Sequence, residues 1–467
     1  MKKSNRALIF LFGGILLLLS CVTVPASLTE KGVLLNGGNG MDKAAVTAKE
    51  TGSQSGSGLT PHEIKRLAGS FGAEEFTYTA RPALSGVTVK AGDASIASTV
   101  TGTNYMLPRF LRMDMLYGGF FTETAEREGA NVAVIDDRLA WNAFRSADAV
   151  GKTLKIYGVK FKIVGVVKRD ASILSSLADD GFPVVFIPGA RLFELDGSAG
   201  ISSFQLRTED RSTLDNNRKL IAGALQEAGR DPSDYRIEDY NIKRALLEQK
   251  PGMLVFILGS IVILILASWL KDTAAETFAV LRRECRADYL SNAIRRNGGR
   301  LGIAALKILS AAAAVIFVGT GIRFSLYIPP ALIPEELIDV SFYIELLKNG
   351  VRSGIGSQTY AVDTATALLD GVGMLTGWPL IIMAAAGFLL AYAGFAGLGK
   401  LNAGMNRISL ACGLFMLLSL ILLASAASAS GLPFVLKTGN ILVVWVFIYV
   451  NILYRYYRNE KGSAKND

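Results

Sequence analysis

Six apolar blocks punctuate the chain, at residues 7–24, 252–270, 302–322, 378–398, 408–427 and 436–454. Each is close to the ~20 residues a helix needs to cross the hydrocarbon of a bilayer, and a buried core helix seldom runs that long without charge. Backbone polar groups in lipid must be satisfied within their own segment, so each block is predicted as a transmembrane helix. Lys307, early in the third block, is read as snorkelling to the nearby interface rather than as part of a relay. Small residues in "AAAGFLLAYAGFAGLG" let the fourth span pack closely against a neighbour.

Between the first two blocks the pattern changes. Residues 28–59 are small and polar, ending in "TGSQSGSGL", and read as a flexible tether. Order is expected from Thr60: Thr60 as N-cap, Pro61 at the first helical position and Glu63 three residues on form a capping box, which leaves His62 in an exposed first turn. "EFTYTA", "SGVTVKAG" and "SIASTVTGTN" alternate with period two and predict half-buried strands. "NVAVIDDRLAWNAF" opens as a buried strand and turns into a helix at Asp136 or Asp137. "LKIYGVKFKIVGV" predicts two strands joined at Tyr157-Gly158, and "FPVVFIP" and "SSFQLRTED" two more. "RSTLDNNRKLIAGALQEAG" predicts an amphipathic helix, and "DYRIEDYNIKRALLEQK" a strand followed by a helix that runs into the second span.

The predicted fold class is therefore an α+β extracytoplasmic domain inserted between the first and second spans of an all-α transmembrane bundle of about six helices. The expected organisation is an N-terminus and first helix over 1–27, a linker over 28–59 and a core domain over 60–250. A bundle over 251–457 follows, with a cytoplasmic loop at 271–300 and an outer loop at 323–377, then a tail over 458–467.

Charge sets the expected orientation. Lys2, Lys3 and Arg6 precede the first span; Lys271, Arg282, Arg283, Arg286, Arg295, Arg296 and Arg300 separate the second from the third. Lys400 and Arg407 separate the fourth from the fifth, and Arg455, Arg458, Lys461 and Lys465 follow the sixth. Alternating spans place all of these on the cytoplasmic side, with both termini inside and the insert outside. The outer loop is acidic on balance and carries an apolar helical stripe of Leu337, Val340, Ile344, Leu347 and Val351, which predicts a helix along the outer interface or under the insert. The first span reads as an uncleaved anchor, or as a segment cleaved after "VPA" or lipidated at Cys21.

With basic residues accounted for by topology, the net charge of +9 does not point to nucleic acid. Three cysteines and one histidine support neither a disulfide framework in the insert nor a zinc site. "GKT" at 151–153 is no P-loop: Ser146 stands where the first glycine belongs, and a strand rather than a helix follows. No nucleophile–base pair is visible, and the neighbours Asp136-Asp137 and Asp179-Asp180 point apart on a strand or are solvated in a turn. No catalytic, cofactor-binding or metal residue is assigned.

The stretch from "VTGTNYMLPRFLRMDMLYGGFFTE" through "NVAVIDDRLAWNAF" and "VGKTLKI" to "FKIVGVVK" resembles the periplasmic core domain of MacB-like (MacB/FtsX-type) ABC transporter permeases over ~70 residues. The match rests on Gly119, Phe120, Phe121 and Glu123, on a strand ending in a helix that includes Phe144, and on the two strands that follow. The resemblance implies a bacterial inner-membrane permease, dimeric with itself or a related permease, that couples a separate ABC ATPase to the outer domain. ATP would then enter only through that other subunit, and the lipid bilayer is the remaining partner. The family's cytoplasmic coupling segment aligns with "ETFAVLRRECR": Phe278, Ala279, Val280, Leu281 and Arg282 fall on its Ile, Gly, Ile, Leu and Arg, with Arg283 next. Two departures stand out. Six spans replace the family's usual four, and Thr277 occupies an acidic position, with a basic run to Arg300 beyond. A non-transporting scaffold or regulator, whose outer domain binds an envelope partner, is the alternative.

Overall fold

A computed structural model of the protein describes residues 2–37, 40–48, 59–70, 75–82, 86–207, 216–285, 298–328, 341, 344, 364–399 and 405–463. These divide into two compact units, one of Met1–Leu28, Glu248–Leu326 and Met374–Asp467, the other of Thr29–Leu247 and Tyr327–Gly373.

The first unit is helical. It draws on α1 (Lys2–Leu35), α9 (Tyr240–Cys285), α10 (Gly298–Gly321), α12 (Trp378–Gly399), α13 (Met405–Ala429) and α14 (Thr438–Ser463). Among the described residues, six helical segments are long and apolar enough to cross a membrane: Asn5–Leu35, Tyr240–Arg283, Leu301–Gly321, Thr366–Leu398, Asn406–Ala429 and Thr438–Tyr457. The small residues of the fourth span do what their spacing predicted, and their neighbour is α1. A Cβ on Gly394 would lie 2.7 Å from the Leu11 nitrogen, and one on Gly387 3.0 Å from the Leu17 Cβ. Such approach of two backbones is open only to residues without bulk at the crossing. Leu11, Ile15 and Leu18 of α1 are fully buried with Ala391, Phe395, Val444 and Ile448. Lys307 stands exposed on α10.

The second unit is the α+β insert. Its strands are β1 (Lys43–Ala48), β2 (Phe76–Arg81), β3 (Val87–Ala91), β4 (Ala94–Thr103), β5 (Met115–Gly118), β6 (Val132–Asp136), β7 (Thr153–Ile156), β8 (Val159–Val167), β9 (Val184–Pro188), β10 (Gly200–Arg207) and β11 (Tyr235–Asp239). They form one sheet in the order β11-β1-β10-β2-β4-β3-β7-β8-β6-β9, with β5 on β8. β9 also pairs in parallel with β4, from Thr99↔Val184 to Thr103↔Pro188, so that six strands return on themselves as a closed ring. The length of β4 makes this possible: its first half pairs with β3 and its end with β2. Tyr157 (φ 50°) and Gly158 (φ 82°) form the tight turn between β7 and β8, where positive φ at both positions suits the right-handed twist of the strands. Val89, Ile135, Phe161, Ile163, Val185, Ile187 and Phe204 fill the core.

Helices cover the sheet: α2 (Pro61–Ser70), α3 (Leu107–Phe110), α4 (Glu123–Arg127), α5 (Asp137–Phe144), α6 (Ile173–Leu177), α7 (Gly189–Leu195) and α8 (Asn216–Glu227). The capping box at α2 forms as expected: the Thr60 N–H donates to Glu63 Oε2 at 2.8 Å, and the Glu63 N–H to Thr60 Oγ1 at 3.3 Å. His62 is exposed.

Two expectations are corrected. The tether over 28–59 does not exist as such in its described part: α1 continues to Leu35, and Lys43–Ala48 is a fully buried strand between β10 and β11. Its small residues misled because a strand covered on both faces also favours Ala, Val and Thr. Residues 49–58 lie outside the description. The loop at 323–377 was assigned to the bundle, yet Tyr327–Gly373 groups with the insert. The reason lies in α11 (Thr364–Leu375), whose Leu369 and Val372 are buried against Gly32, and whose Asp370 is claimed by cations of the insert. The amphipathic stripe of that loop falls outside the described residues except Ile344, which is exposed.

Candidate functional site

The segment singled out for coupling is the last described part of α9. Phe278, Val280, Arg282 and Arg283 are exposed and Leu281 is half-buried. Phe278 and Arg282 share a helical face, being four residues apart. Thr277, where an acid was expected, turns inward on its own helix and donates to the Thr273 carbonyl at 2.7 Å. The neighbouring acid, Glu276, accepts from Tyr457 Oη of α14 at 3.5 Å, and the Tyr457 ring meets Trp269 edge to face at 6.4 Å. The segment is thus a continuation of the second apolar helix, with Arg282 and Arg283 open to solvent.

At its other end α9 begins directly after β11, with Tyr240, and a charge cluster gathers there. Lys243 donates to Glu238 Oε2 at 2.9 Å and to Asp370 Oδ1 at 2.6 Å; Arg236 donates to Glu238 Oε1 at 2.5 Å and Asp370 Oδ1 at 3.2 Å. Tyr240 Oη and Thr366 Oγ1 are hydrogen-bonded at 2.9 Å. Two cations and two carboxylates in one half-buried knot hold α11 against the start of α9. None of the four was marked by sequence, because α11 lies more than a hundred residues from β11 and only the fold brings them together.

Lys43 is the most deeply placed cation. It is fully buried, donates to the carbonyls of Asn36 (3.1 Å) and Phe110, and lies over the rings of Tyr240 (5.1 Å) and Phe110 (5.8 Å). Carbonyl dipoles and ring faces stand in for water around the ammonium. Replacing Lys43 with methionine keeps the stem and removes the donors, leaving two buried carbonyls short of a partner. We expect a loss of about 2–4 kcal/mol, read as a lower unfolding midpoint of the full-length protein in detergent; an unchanged midpoint would show that the ammonium contributes nothing net.

A cleft of about 480 Å³ opens beside α5 and α6, lined by Asp137, Arg138, Arg169, Asp170, Ser175 and Asp179 among others. Asp136 pairs with Arg169 of that lining. This buried carboxylate ends β6 and caps α5, accepting from the Leu139 N–H at 2.7 Å, the Val184 N–H at 3.0 Å and Arg169 at 3.3 Å. Burial pushes its carboxyl up to about 6, against those donors, which pull it down. Asp170 is the opposite case. Burial raises it, but hydrogen bonds from Lys31 (2.5 Å), the Ser172 N–H (2.9 Å) and the Ser175 hydroxyl (2.9 Å) outweigh burial and hold it at about 2. Every cation at the cleft has a carboxylate at hand. Among the described residues no group of His, Cys, Asp and Glu could hold a metal ion.

The arrangement is that of a multi-pass membrane protein with one α+β domain inserted after its first helix. Within that class the insert has a specific likeness: residues 25–224 match the model of the MacB-like periplasmic core domain. The macrolide export ATP-binding/permease protein MacB of Rhodospirillum rubrum is 27% identical over 182 residues, 38% of this chain and 28% of that protein. The pyoverdine export ATP-binding/permease protein PvdT of Pseudomonas savastanoi pv. phaseolicola is 25% identical over 175 residues, 37% of this chain and 26% of that protein. A solved structure of the periplasmic region of MacB from Actinobacillus actinomycetemcomitans aligns with 47% of this chain and 95% of its own, at 17% identity and a TM-score of 0.37. The chain spans less than a third of the length of these curated relatives.

Proposed function

We propose that this chain is the permease subunit of a MacB-like ABC transporter, coupling a separate ATPase to its outer domain. The observation that carries the reading is the MacB-like core domain at residues 25–224 set among six helices of membrane-spanning character. On this reading it resides in the bacterial inner membrane with both termini cytoplasmic and the core domain outside, an orientation the basic flanks of the spans support. Permeases pair, with a second copy or a related chain. ATP acts only through the ATPase, which docks on the exposed end of α9 at Phe278, Val280, Leu281, Arg282 and Arg283. Because β11 leads straight into α9, displacement of that docking end is carried by a single helix to the charge cluster at Arg236, Glu238, Lys243 and Asp370.

The test is affinity purification of the full-length protein from native membranes. A nucleotide-binding subunit copurifies on this reading, and the double replacement Leu281→Asp, Arg282→Asp reduces its recovery at least ~10-fold while the permease itself is recovered undiminished. Two acids would put like charge where an anionic or apolar docking groove expects cation and side chain, at a cost of several kcal/mol. Recovery of the protein with no ATPase at all would favour the second reading, a scaffold or regulator. The loss of the acid at Thr277, now bonded back to its own helix, is the observation on that side.

A further inference from the structure

Strands β3, β7 and β8 are neighbours in the closed ring, and each alternates between buried and exposed positions. Val89, Leu154, Ile156, Phe161 and Ile163 face the core, whereas Lys90, Lys155, Lys160 and Lys162 face out and are exposed. The strand registers put three of these lysines in one row. Lys90 of β3 stands directly opposite Lys155 of β7, and Lys155 directly opposite Lys160 of β8. Lys162 follows two residues further along β8 on the same face, opposite Thr153. With strands ~4.8 Å apart and a rise of ~3.4 Å per residue, the four side chains spring from an area of about 10 Å by about 7 Å.

Nothing in the described part of the insert offsets this charge. Among the described residues none of the four amines has an ion pair or a hydrogen bond, and the chain carries no acid between Asp148 and Asp170. Lys152, just before β7, differs, since it lies over the Phe144 ring at 4.9 Å. Like charges directly opposite on adjacent strands are destabilising, so the row works against the fold that carries it. Lysines can guard an open sheet edge against pairing with another chain, but β3 is flanked by β4 and β7, and β7 by β3 and β8. That use does not apply to strands paired on both sides.

The chemistry of the row selects its ligand. Lysine offers a hydrated point charge on a flexible stem, without the planar fork of arginine, and so suits phosphates spread along a chain better than one anion gripped bidentately. A protein partner needs a large apolar or aromatic anchor at the centre of its footprint. Here the exposed neighbours of the lysines are Thr153, Ser95 and Thr88, and Tyr157 at the β7–β8 turn gives its hydroxyl to Asp196 at 3.1 Å. Exposed acids in the adjoining turns, Asp93 after β3 and Asp148 before β7, would meet an anionic plane with like charge. A single chain lying along the row need not touch them.

We propose that the outward face of β3, β7 and β8 binds a flexible linear polymer of phosphates in solution, through Lys90, Lys155, Lys160 and Lys162. The site lies wholly within the insert and does not depend on which subunit, if any, drives the protein.

The test is binding of labelled long-chain inorganic polyphosphate to the full-length protein in neutral detergent, followed by fluorescence anisotropy. Because the chain carries a net charge of +9, two variants of equal charge are compared. One joins Lys155→Gln to Lys160→Gln; the other joins Lys65→Gln to Lys219→Gln, exposed lysines of α2 and α8. The row variant should bind at least ~10-fold more weakly at ~100 mM salt, with the control within ~2-fold of the parent, and the slope of log Kd against log salt should fall from ~2.8 to ~1.4 as four phosphate contacts become two. Its unfolding midpoint should equal or exceed the parent's, because two like-charge contacts are gone. A lower midpoint would show the lysines to be paired within the fold and would overturn the proposal, as would equal loss of binding in both variants or no loss in either. Tighter binding of polyglutamate than of polyphosphate would give the face to an acidic protein instead. Row-dependent binding of phosphatidylglycerol vesicles without binding of polyphosphate would give it to a lipid surface, and either result overturns the assignment.

Discussion

Replacing Asp136 with alanine will destabilise the insert by about 2–4 kcal/mol, through the loss of a helix cap and of a buried acceptor. The carboxylate is nearly inaccessible and ties three elements: it caps α5 through Leu139, holds the start of β9 through Val184, and receives Arg169. Alanine removes the cap, worth ~1 kcal/mol by itself, and leaves the half-buried Val184 N–H without its acceptor at about 1–3 kcal/mol more. Asp136→Asn separates these contributions. Its carbonyl can still accept from Leu139, but its amide then turns a donor toward Val184 and Arg169, so a loss of about 2 kcal/mol is expected. Hydrogen exchange of the full-length protein reads both, since 3 kcal/mol is more than a 100-fold loss of protection at the β6 and β9 amides. The pH dependence supplies a second reading. A carboxyl raised from 3.8 to about 6 binds more protons folded than unfolded between those values. The native domain therefore loses stability as pH rises from about 4 to 6, and neither variant retains that component. Protection unchanged in Asp136→Ala would show that the cap and the Arg169 pair are dispensable.

The sequence made such elements visible to different degrees, for physical reasons. Period-two alternation marked β3 and the first halves of β4 and β8 because there one face meets the core and the other water, whereas β2 is buried on both faces along its middle, and Tyr157-Gly158 marked the turn because few pairs tolerate positive φ twice. The Asp136 cap was legible within one residue, since an acid between "VAVI" and a helical stretch has few other uses. β1 was illegible because its burial on both faces removes the alternation, leaving "KAAVTA" to look like linker. Lys43 was hidden for the same reason: a lysine opening a polar tract gives no sign that three carbonyl- and ring-bearing elements will enclose it. The closed ring could not be read either, because the β4–β9 pairing joins strands 85 residues apart (Thr99 and Val184) with no local signal. The coupling segment was assigned only through resemblance; its residues are exposed on α9 as on any solvated helix end, Leu281 excepted, which is half-buried.

Enlarging Gly394 will separate α1 from α12. A Cβ there would sit 2.7 Å from the Leu11 nitrogen and 2.8 Å from its Cα, and backbone cannot swing aside as a side-chain tip can. Gly394→Ala therefore forces the helices apart by a few tenths of an ångström, at about 1–3 kcal/mol. Gly394→Leu places four carbons in a space that holds none, and the crossing must be given up along its length, because Gly387 and Gly397 depend on the same close approach to Leu17 and Ala7. Lipid offers little hydrophobic penalty for the separated helices, so the lost dispersion contacts are not offset by any tendency to collapse again. The chain carries its own reporter: Cys21 of α1 is fully buried, its thiol 3.8 Å from the Leu380 carbonyl of α12. With Cys285 and Cys412 replaced by serine, a membrane-permeant maleimide should label Cys21 slowly in the parent, faster in Gly394→Ala and at least ~10-fold faster in Gly394→Leu. The graded order matters more than the endpoint, since a merely misfolded leucine variant would leave the alanine variant at the parental rate. Parental labelling in both would mean that α1 does not lie against α12, and the buried face of Leu11, Ile15 and Leu18 would then require another partner within the membrane.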